Sequence, residues 1–369
     1  MPAIRLNLDA LRWNARQSAA CARRWGARIL PVMKGVISHP LALRELAAEG
    51  FARYAFAEYG ELFSGGTPSV PQVENRVLMQ ICPLSRVGEV AAGFGRSTHS
   101  VPATLTALDG AAGALGRRHE VMLALDVGEF REGAPRESLP ALLDHALSLP
   151  NLDVAGLFVT LGCMGWREPG EDFGAMLDAV LDLFRAKGIA DPEVSLGGSI
   201  VCPWLDRHGP GAVTEVRLGA HFILGEDTYH RCDLPGGPFR RDVCTLSAEV
   251  LEIHPRRFAP EDKPAFADGE CQPPFRLPPP GIRLCALLDI GRAHVAPEDL
   301  VGISLPGAFP IASGTGYTVL DVTDCPCPPG VGDRLFFRPG YWSILRAFHS
   351  PLVALIPVRD DHSAEGDGG

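Results

Sequence analysis

Residues 28–38 read RILPVMKGVIS: an apolar run, a lysine, then a glycine. A short continuous apolar run bounded by turn residues fits a strand buried on both faces, as in a parallel sheet covered by helices. A lysine closing such a strand either snorkels into water or is held there for a purpose. The pattern recurs, with strand-like runs at 28–33, 54–57, 77–82, 97–100, 121–126, 154–160, 193–196 and 214–218. Segments with apolar residues three and four apart separate most of them. LPALLDHALSL and GAMLDAVLDLFRAKG are the clearest, and the second closes on Lys187–Gly188, a basic last turn with a glycine stop. Strand–helix alternation builds a parallel sheet. Eight repeats of this kind fit the α/β class as a (β/α)8 TIM-type barrel better than an open sheet.

Beyond about residue 235 the helical period fades. Residues 259–281, APEDKPAFADGECQPPFRLPPPG, read as a surface excursion. IRLCALLDIG, YTVLDVTD, RLFFRP and PLVALIPV then read as strands separated by turn residues such as PPGVGD. The expected division is a barrel over 1–234, a β-rich domain over 235–358 and a polar, disordered tail over 359–369.

Composition limits the function. With 46% hydrophobic and 21% charged residues the chain is an ordinary globular protein, and a net charge of −10 argues against a nucleic-acid partner. No run of eighteen apolar residues exists, which predicts no membrane span, and MPAIRLNLDALRWNARQ lacks the apolar core of a secretory signal. A cytoplasmic protein is expected. Its ten scattered cysteines then read as free thiols. Cys325 and Cys327 sit too close together for the usual zinc hairpin, and His230 and Cys232 in YHRCD read as a loop, so no metal is expected.

In such barrels the catalytic groups come from the C-terminal ends of the strands. Lys34 ends the first strand, where loss of solvent lowers the pKa of an amine and readies it for imine chemistry. Arg217 ends the eighth strand, followed by Gly219; Gly198 and Ser199 follow the seventh in SLGGSIV. Loops after strands seven and eight are frequent phosphate sites, served by backbone N–H groups and a hydroxyl. A tight turn and a structural arginine would explain the same residues. Taken together, a lysine facing a phosphate cradle is the outline of a pyridoxal phosphate site.

NLDALRWNAR, LPVMKGVISHP, MLALDVGEFREG, GLFVTLGCMGW, EVRLGAHFILGEDT, LLDIGRAHV, IASGTGYTVLDVTDCPCPPGVGDRLFF and GYWSILRAFHSP extend the pattern over nearly the whole chain. With these segments the sequence resembles the fold-type-III pyridoxal-phosphate enzymes of the alanine racemase superfamily, and within it the ornithine-racemase-like amino-acid racemases. DVGEFREG and DIGRAHV are the pieces most specific to that branch. The resemblance implies pyridoxal 5'-phosphate held by Lys34 as a Schiff base, Arg217 facing its pyridine nitrogen, and Gly198, Ser199, Gly219 and Tyr341 around its phosphate. It also implies a small amino-acid substrate, Cα proton exchange and a head-to-tail homodimer.

The match is uneven. Alanine racemases bring a second proton carrier, a tyrosine, from the β domain, and LLDIGRAHV has none. Asp289 is the candidate taken here; His294, Tyr317 and Cys163 are others, and a structural Asp289–Arg292 pair is an alternative reading. Thr160 stands where the branch has the Asn of TNLAC, Ile200 and Val201 replace the hydroxyls of GGNSS, and SGTGY replaces SSDH, putting Gly316 and Tyr317 where an Asp and a His stand. Ser38 replaces a tyrosine often found four residues after the lysine. A retained cofactor frame with an altered substrate frame predicts a substrate that is not simply alanine or ornithine. The competing readings are a decarboxylase, a D-hydroxy-amino-acid aldolase or dehydratase on the same frame, and a non-catalytic pyridoxal-phosphate protein.

Overall fold

The apolar runs of the first two-thirds of the chain become strands because each has helices to cover one face and a barrel interior to fill on the other. The computed structural model describes residues 1–36, 39–63, 70–164, 168–226, 238–259, 278–296 and 300–360. The chain divides into two compact units, one of Leu11–Arg240 and one of Met1–Ala10 with Arg241–Gly369. In chain order, β1 (Ala3–Asn7) is followed by α1 (Leu8–Trp25), within whose first turn the division falls.

The first unit continues with β2 (Arg28–Pro31), α2 (Pro40–Ala48), β3 (Tyr54–Phe56), β4 (Arg76–Ile81), α3 (Val87–Gly93), β5 (Arg96–His99), α4 (Pro102–Ala114) and β6 (His119–Leu125). Then come α5 (Leu139–Leu147), β7 (Leu152–Thr160), α6 (Phe173–Ala186), β8 (Glu193–Gly197), α7 (Cys202–His208), β9 (Glu215–Leu218) and α8 (Ala220–Ile223). The eight strands pair in parallel in the order β2-β9-β8-β7-β6-β5-β4-β3. A bridge between Val32 and Ala55 brings the two ends together, so the sheet is a nearly closed barrel. All eight expected strands are present, within two residues at each end.

Alternate residues fill the barrel. Leu30, Val32, Ala55, Val77, Met79, Met122, Ala124 and Phe158 form one cluster, each large side chain removing area worth about 1.5–3 kcal/mol from water. At the N-terminal ends of the strands the interior is ionic. Buried Arg96 binds the carboxylates of Glu120 and, at 2.7 Å, Glu193; Arg28 also reaches Glu193 at 2.9 Å and Arg53 reaches Glu120 at 3.2 Å.

The second unit contains β10 (Cys244–Phe258), β11 (Gly281–Leu288), β12 (Leu300–Ile303), β13 (Phe309–Ser313), β14 (Thr318–Asp321), β15 (Arg334–Pro339), α9 (Tyr341–His349) and β16 (Ala354–Val358). Its sheet runs β12-β15-β10-β11-β14-β13, with β1 joined to it. The first ten residues therefore leave the expected barrel partition. β1 pairs antiparallel with β10, Ala3 opposite Ser247, and parallel with β16, Ala3 opposite Ala354. Partners this distant in sequence leave no local pattern to read. β10, β12, β13 and α9 were also not anticipated. Residues 260–277 of the excursion, 361–369 of the tail, and His230 and Cys232 lie outside the described residues. Among the described residues no helix is long and apolar enough to cross a membrane.

Candidate active site

Lys34 opens a short 3-10 turn, Lys34–Val36, two residues beyond Val32 in the barrel core. The turn forms where β2 can pair no further: Val32 N–H donates to Leu218 and Met33 N–H to Ala55, so both neighbouring strands grip the residues just before the amine. Burial pushes the Lys34 amine below the ordinary lysine range. The charge of Cys163 opposes that, Arg131 adds to it, and Glu61 and Glu132 oppose it. Glu61 lies in the turn after β3, where burial raises its carboxyl to about 7 against the pull of the Glu58 N–H and the charge of Lys34. Neither Glu61 nor Glu132 could be singled out from sequence, because their meaning lies in meeting Lys34 across the barrel mouth.

Arg217 is 3% exposed and spans three strands. One terminal nitrogen donates to Ser195 O at 2.6 Å and Ser195 Oγ at 2.9 Å; the other donates to Val159 O at 2.7 Å and Thr160 Oγ1 at 3.0 Å. Its guanidinium carbon stands 3.5 Å from the centre of the Phe158 ring. Burial pulls its pKa down to about 9, opposed by the charges of Glu215 and Glu132, so the group stays a cation at neutral pH. Four acceptors engage the terminal N–H groups. The Nε–H is the donor left over among the described contacts.

The glycines that sequence placed here answer to sterics. A β-carbon on Gly197 would lie 2.3 Å from the Arg217 guanidinium. Gly198 has φ +103°, and a β-carbon there would lie 2.1 Å from Leu161 O. Ser199 then opens the turn Ser199–Val201 that leads into α7, and Gly219 sits between β9 and α8 with Val32 O 3.2 Å from where its β-carbon would be. Lys34, Gly198, Ser199, Arg217 and Gly219 thus all lie at the C-terminal ends of strands of one barrel.

Asp289 and Tyr341 belong to the other unit. Tyr341 is the first residue of α9, its ring edge-on to Trp342. The Asp289 carboxylate is committed to structure: one oxygen accepts the Glu249 N–H at 2.8 Å across the irregularity in β10, and the other pairs with the Met1 amine at 2.9 Å. Both of its oxygens thus have partners within the β unit. His294, in the same unit, accepts the Gly291 N–H at Nδ1 at 2.9 Å.

Sequence reasoning singled out DVGEFREG without giving its residues a role. Asp126 Oδ1 accepts the Gly128 and Glu129 N–H groups and starts the loop. Buried Glu129 accepts three N–H groups, from Gly162 at 2.6 Å and from Cys163 and Met164 at 2.8 Å, stapling the loop after β6 to the loop after β7. Cys163 is held there, within charge range of Lys34.

Comparison with known proteins agrees with this layout. Residues 6–226 match the family model described as alanine racemase, N-terminal domain. An ornithine racemase of Acetoanaerobium sticklandii is 25% identical over 95% of this chain and 98% of its own. A lysine racemase of Thermotoga maritima is 24% identical over 95% of this chain and 97% of its own. A solved alanine racemase from Bartonella henselae, with covalently bound pyridoxal phosphate, superposes with a TM-score of 0.70 at 14% identity, over 97% of this chain and 99% of that one. A nearly closed eight-stranded parallel barrel with an amine and a guanidinium at its mouth, matched over residues 6–226, places this chain in the alanine racemase N-terminal domain family.

Proposed function

We propose that this protein is a pyridoxal-phosphate-dependent amino-acid racemase in which Lys34 carries a proton to and from Cα. The observation that carries the reading is the pairing of a half-buried amine, lowered in pKa, with a buried arginine whose Nε–H is left open at the mouth of the same barrel. The residues fit the cofactor: a fixed donor suits a pyridine nitrogen, the close fit of Gly197 holds that donor in place, and the Ser199 hydroxyl opens the turn into α7 where a phosphate could be served. When bound, pyridoxal phosphate supplies the electron sink that acidifies the Cα–H bond.

Lys34 would hold the cofactor and, once displaced by the substrate's amine, act as base at Cα; a neutral amine is needed, and burial favours it. Arg217 would stay charged beside the ring nitrogen and keep that nitrogen unprotonated, which weakens the sink and suits proton exchange over transamination. Gly198, Ser199, Gly219 and Tyr341 are proposed for the phosphate. The full racemase-length match of both relatives favours this reading over decarboxylase, aldolase and carrier. A homodimer is proposed, with a light-scattering mass about twice the 39.5 kDa of the chain. A cytoplasmic setting suits the free thiols at all eight described cysteines.

The test has two steps. The purified protein given pyridoxal phosphate should show a visible absorption band and a borohydride-trapped adduct at Lys34, both lost in Lys34→Ala. Deuterium from solvent should then appear at Cα with loss of chirality, across a panel that begins with ornithine and lysine, the substrates named for the relatives. Absence of both band and adduct would overturn the proposal. Activity confined to ornithine would overturn the expectation of an altered substrate frame.

A further inference from the structure

Two loops meet above the barrel, and one carboxylate joins them to the machinery on both sides. Glu132 pairs with the Arg131 guanidinium through one oxygen at 2.6 Å. Its other oxygen accepts the Thr160 hydroxyl at 3.1 Å, and that hydroxyl accepts an N–H of Arg217 at 3.0 Å. The result is an unbroken chain, Arg131–Glu132–Thr160–Arg217, across strands β7 and β9 and the loop after β6. The loop is built around a strained residue: Phe130 has φ +55° and is 85% exposed, a conformation that non-glycine residues adopt at a cost. That backbone turn lets Glu129 staple the neighbouring loop while Arg131 and Glu132 reach the mouth.

We propose that Glu132 is a positioning residue that fixes Arg131 and Arg217 together and sets the charge balance felt by the amine of Lys34. The proposal rests on the racemase reading for its purpose, not for its geometry. Thr160 is the needed link. A hydroxyl can donate to Glu132 and accept from Arg217 at once, which neither a valine nor an alanine could do. The titratable groups that act on Lys34 are Cys163, Arg131, Glu61 and Glu132. Glu132 is thus the anion that both neutralises Arg131 by contact and acts directly on Lys34. Without it, Arg131 would act on the amine unopposed by its own partner. The same carboxylate helps keep the buried Arg217 charged.

The experiment reads Lys34 directly. The chain has only three lysines, and Lys187, ion-paired with Asp144 at 2.6 Å, is an internal reference outside the site. In the full-length protein freed of cofactor, competitive acylation followed by mass spectrometry gives the pH midpoint of Lys34 reactivity. Glu132→Gln removes the anion, so the ammonium loses support and the midpoint should move to lower pH by roughly one unit, while that of Lys187 stays put. Glu132→Asp keeps the charge and should restore most of the midpoint. Thr160→Val keeps the charge but breaks the link, so it should leave the midpoint in place while weakening pyridoxal phosphate binding by about tenfold. A role limited to folding would move neither midpoint nor its rescue. An unchanged Lys34 midpoint in Glu132→Gln, or pyridoxal phosphate binding unchanged in Thr160→Val, overturns the proposal. Because the labelling uses no substrate, a moved midpoint in a protein that exchanges no Cα proton would sink the racemase reading and leave this one standing.

Discussion

At Gly197 the backbone passes so close to Arg217 that a β-carbon would lie 2.3 Å from the guanidinium. Gly197→Ala is therefore expected to displace the arginine from its acceptors on β7 and β8, with a stability loss of about 1–3 kcal/mol from overpacking and a drop in pyridoxal phosphate affinity of about tenfold or more. Urea unfolding and absorbance titration with the cofactor measure the two effects separately; wild-type affinity would show that the guanidinium needs no such clearance. Lys34 and Arg217 were legible in the sequence because each ends a readable strand, and strand ends are where a barrel keeps its chemistry. Glu61 and Glu132 were not. A glutamate in a loop is usually solvated, and only the closing of the barrel reveals that these two act on a half-buried amine.

The element scale shows a polar cluster wedged between sheet and helix. His99 on β5 and His119 on β6 both place Nε2 2.8 Å from Ser97 Oγ, and His99 Nδ1 lies 3.3 Å from the Thr104 hydroxyl. Thr104 donates to Val101 O, so His99 Nδ1 must donate to Thr104; Ser97 then donates to His99 and accepts from His119. That order leaves His119 Nδ1 bare and buried with no partner among the described residues. Burial accordingly pushes His99 down to about 3 and His119 to about 4. Both lie below the unfolded value near 6.5. The unfolded chain therefore binds more protons once pH drops below about 6.5, and stability is lost from there toward pH 4 at up to about 1.4 kcal/mol per pH unit for each histidine. His119→Gln, which keeps a group for Ser97, should flatten that slope by one proton's worth in melts taken from pH 7 to 5; an unchanged slope would mean the ring is protonated in the fold. The eight barrel strands were readable because each carries its own apolar run. β1, β10 and α9 were not: their places are set by neighbours in the β unit, β1 by strands far away in sequence, and α9, whose apolar residues do recur at helical spacing, is a short helix among strand-like runs.

For the molecule as a whole, the barrel needs closing as well as filling. Arg96, 1% exposed, ties β5 to Glu120 on β6 and Glu193 on β8, and Arg28 at the head of β2 shares Glu193. Removing the arginine leaves Glu120 with Arg53 alone and Glu193 with Arg28 alone at the floor of the barrel. Both carboxylates are partly solvated, so Arg96→Leu should cost about 2–3 kcal/mol, below the loss typical of a fully buried pair. Urea denaturation of the full-length protein measures it, and a loss under about 0.5 kcal/mol would mean that water already screens the cluster.

By itself the sequence determined the barrel, the lysine and arginine at its mouth, and the family resemblance, because those depend on local period and on residue type at strand ends. Only the tertiary structure decided that the first strand belongs to the β unit, that Asp289 is anchored by Glu249 and Met1, and that Glu129, Glu132 and Thr160 bind the mouth together. Those facts are contacts between residues distant along the chain. Periodicity records which face of an element is apolar; which carboxylate meets which cation is settled only when the faces close on one another.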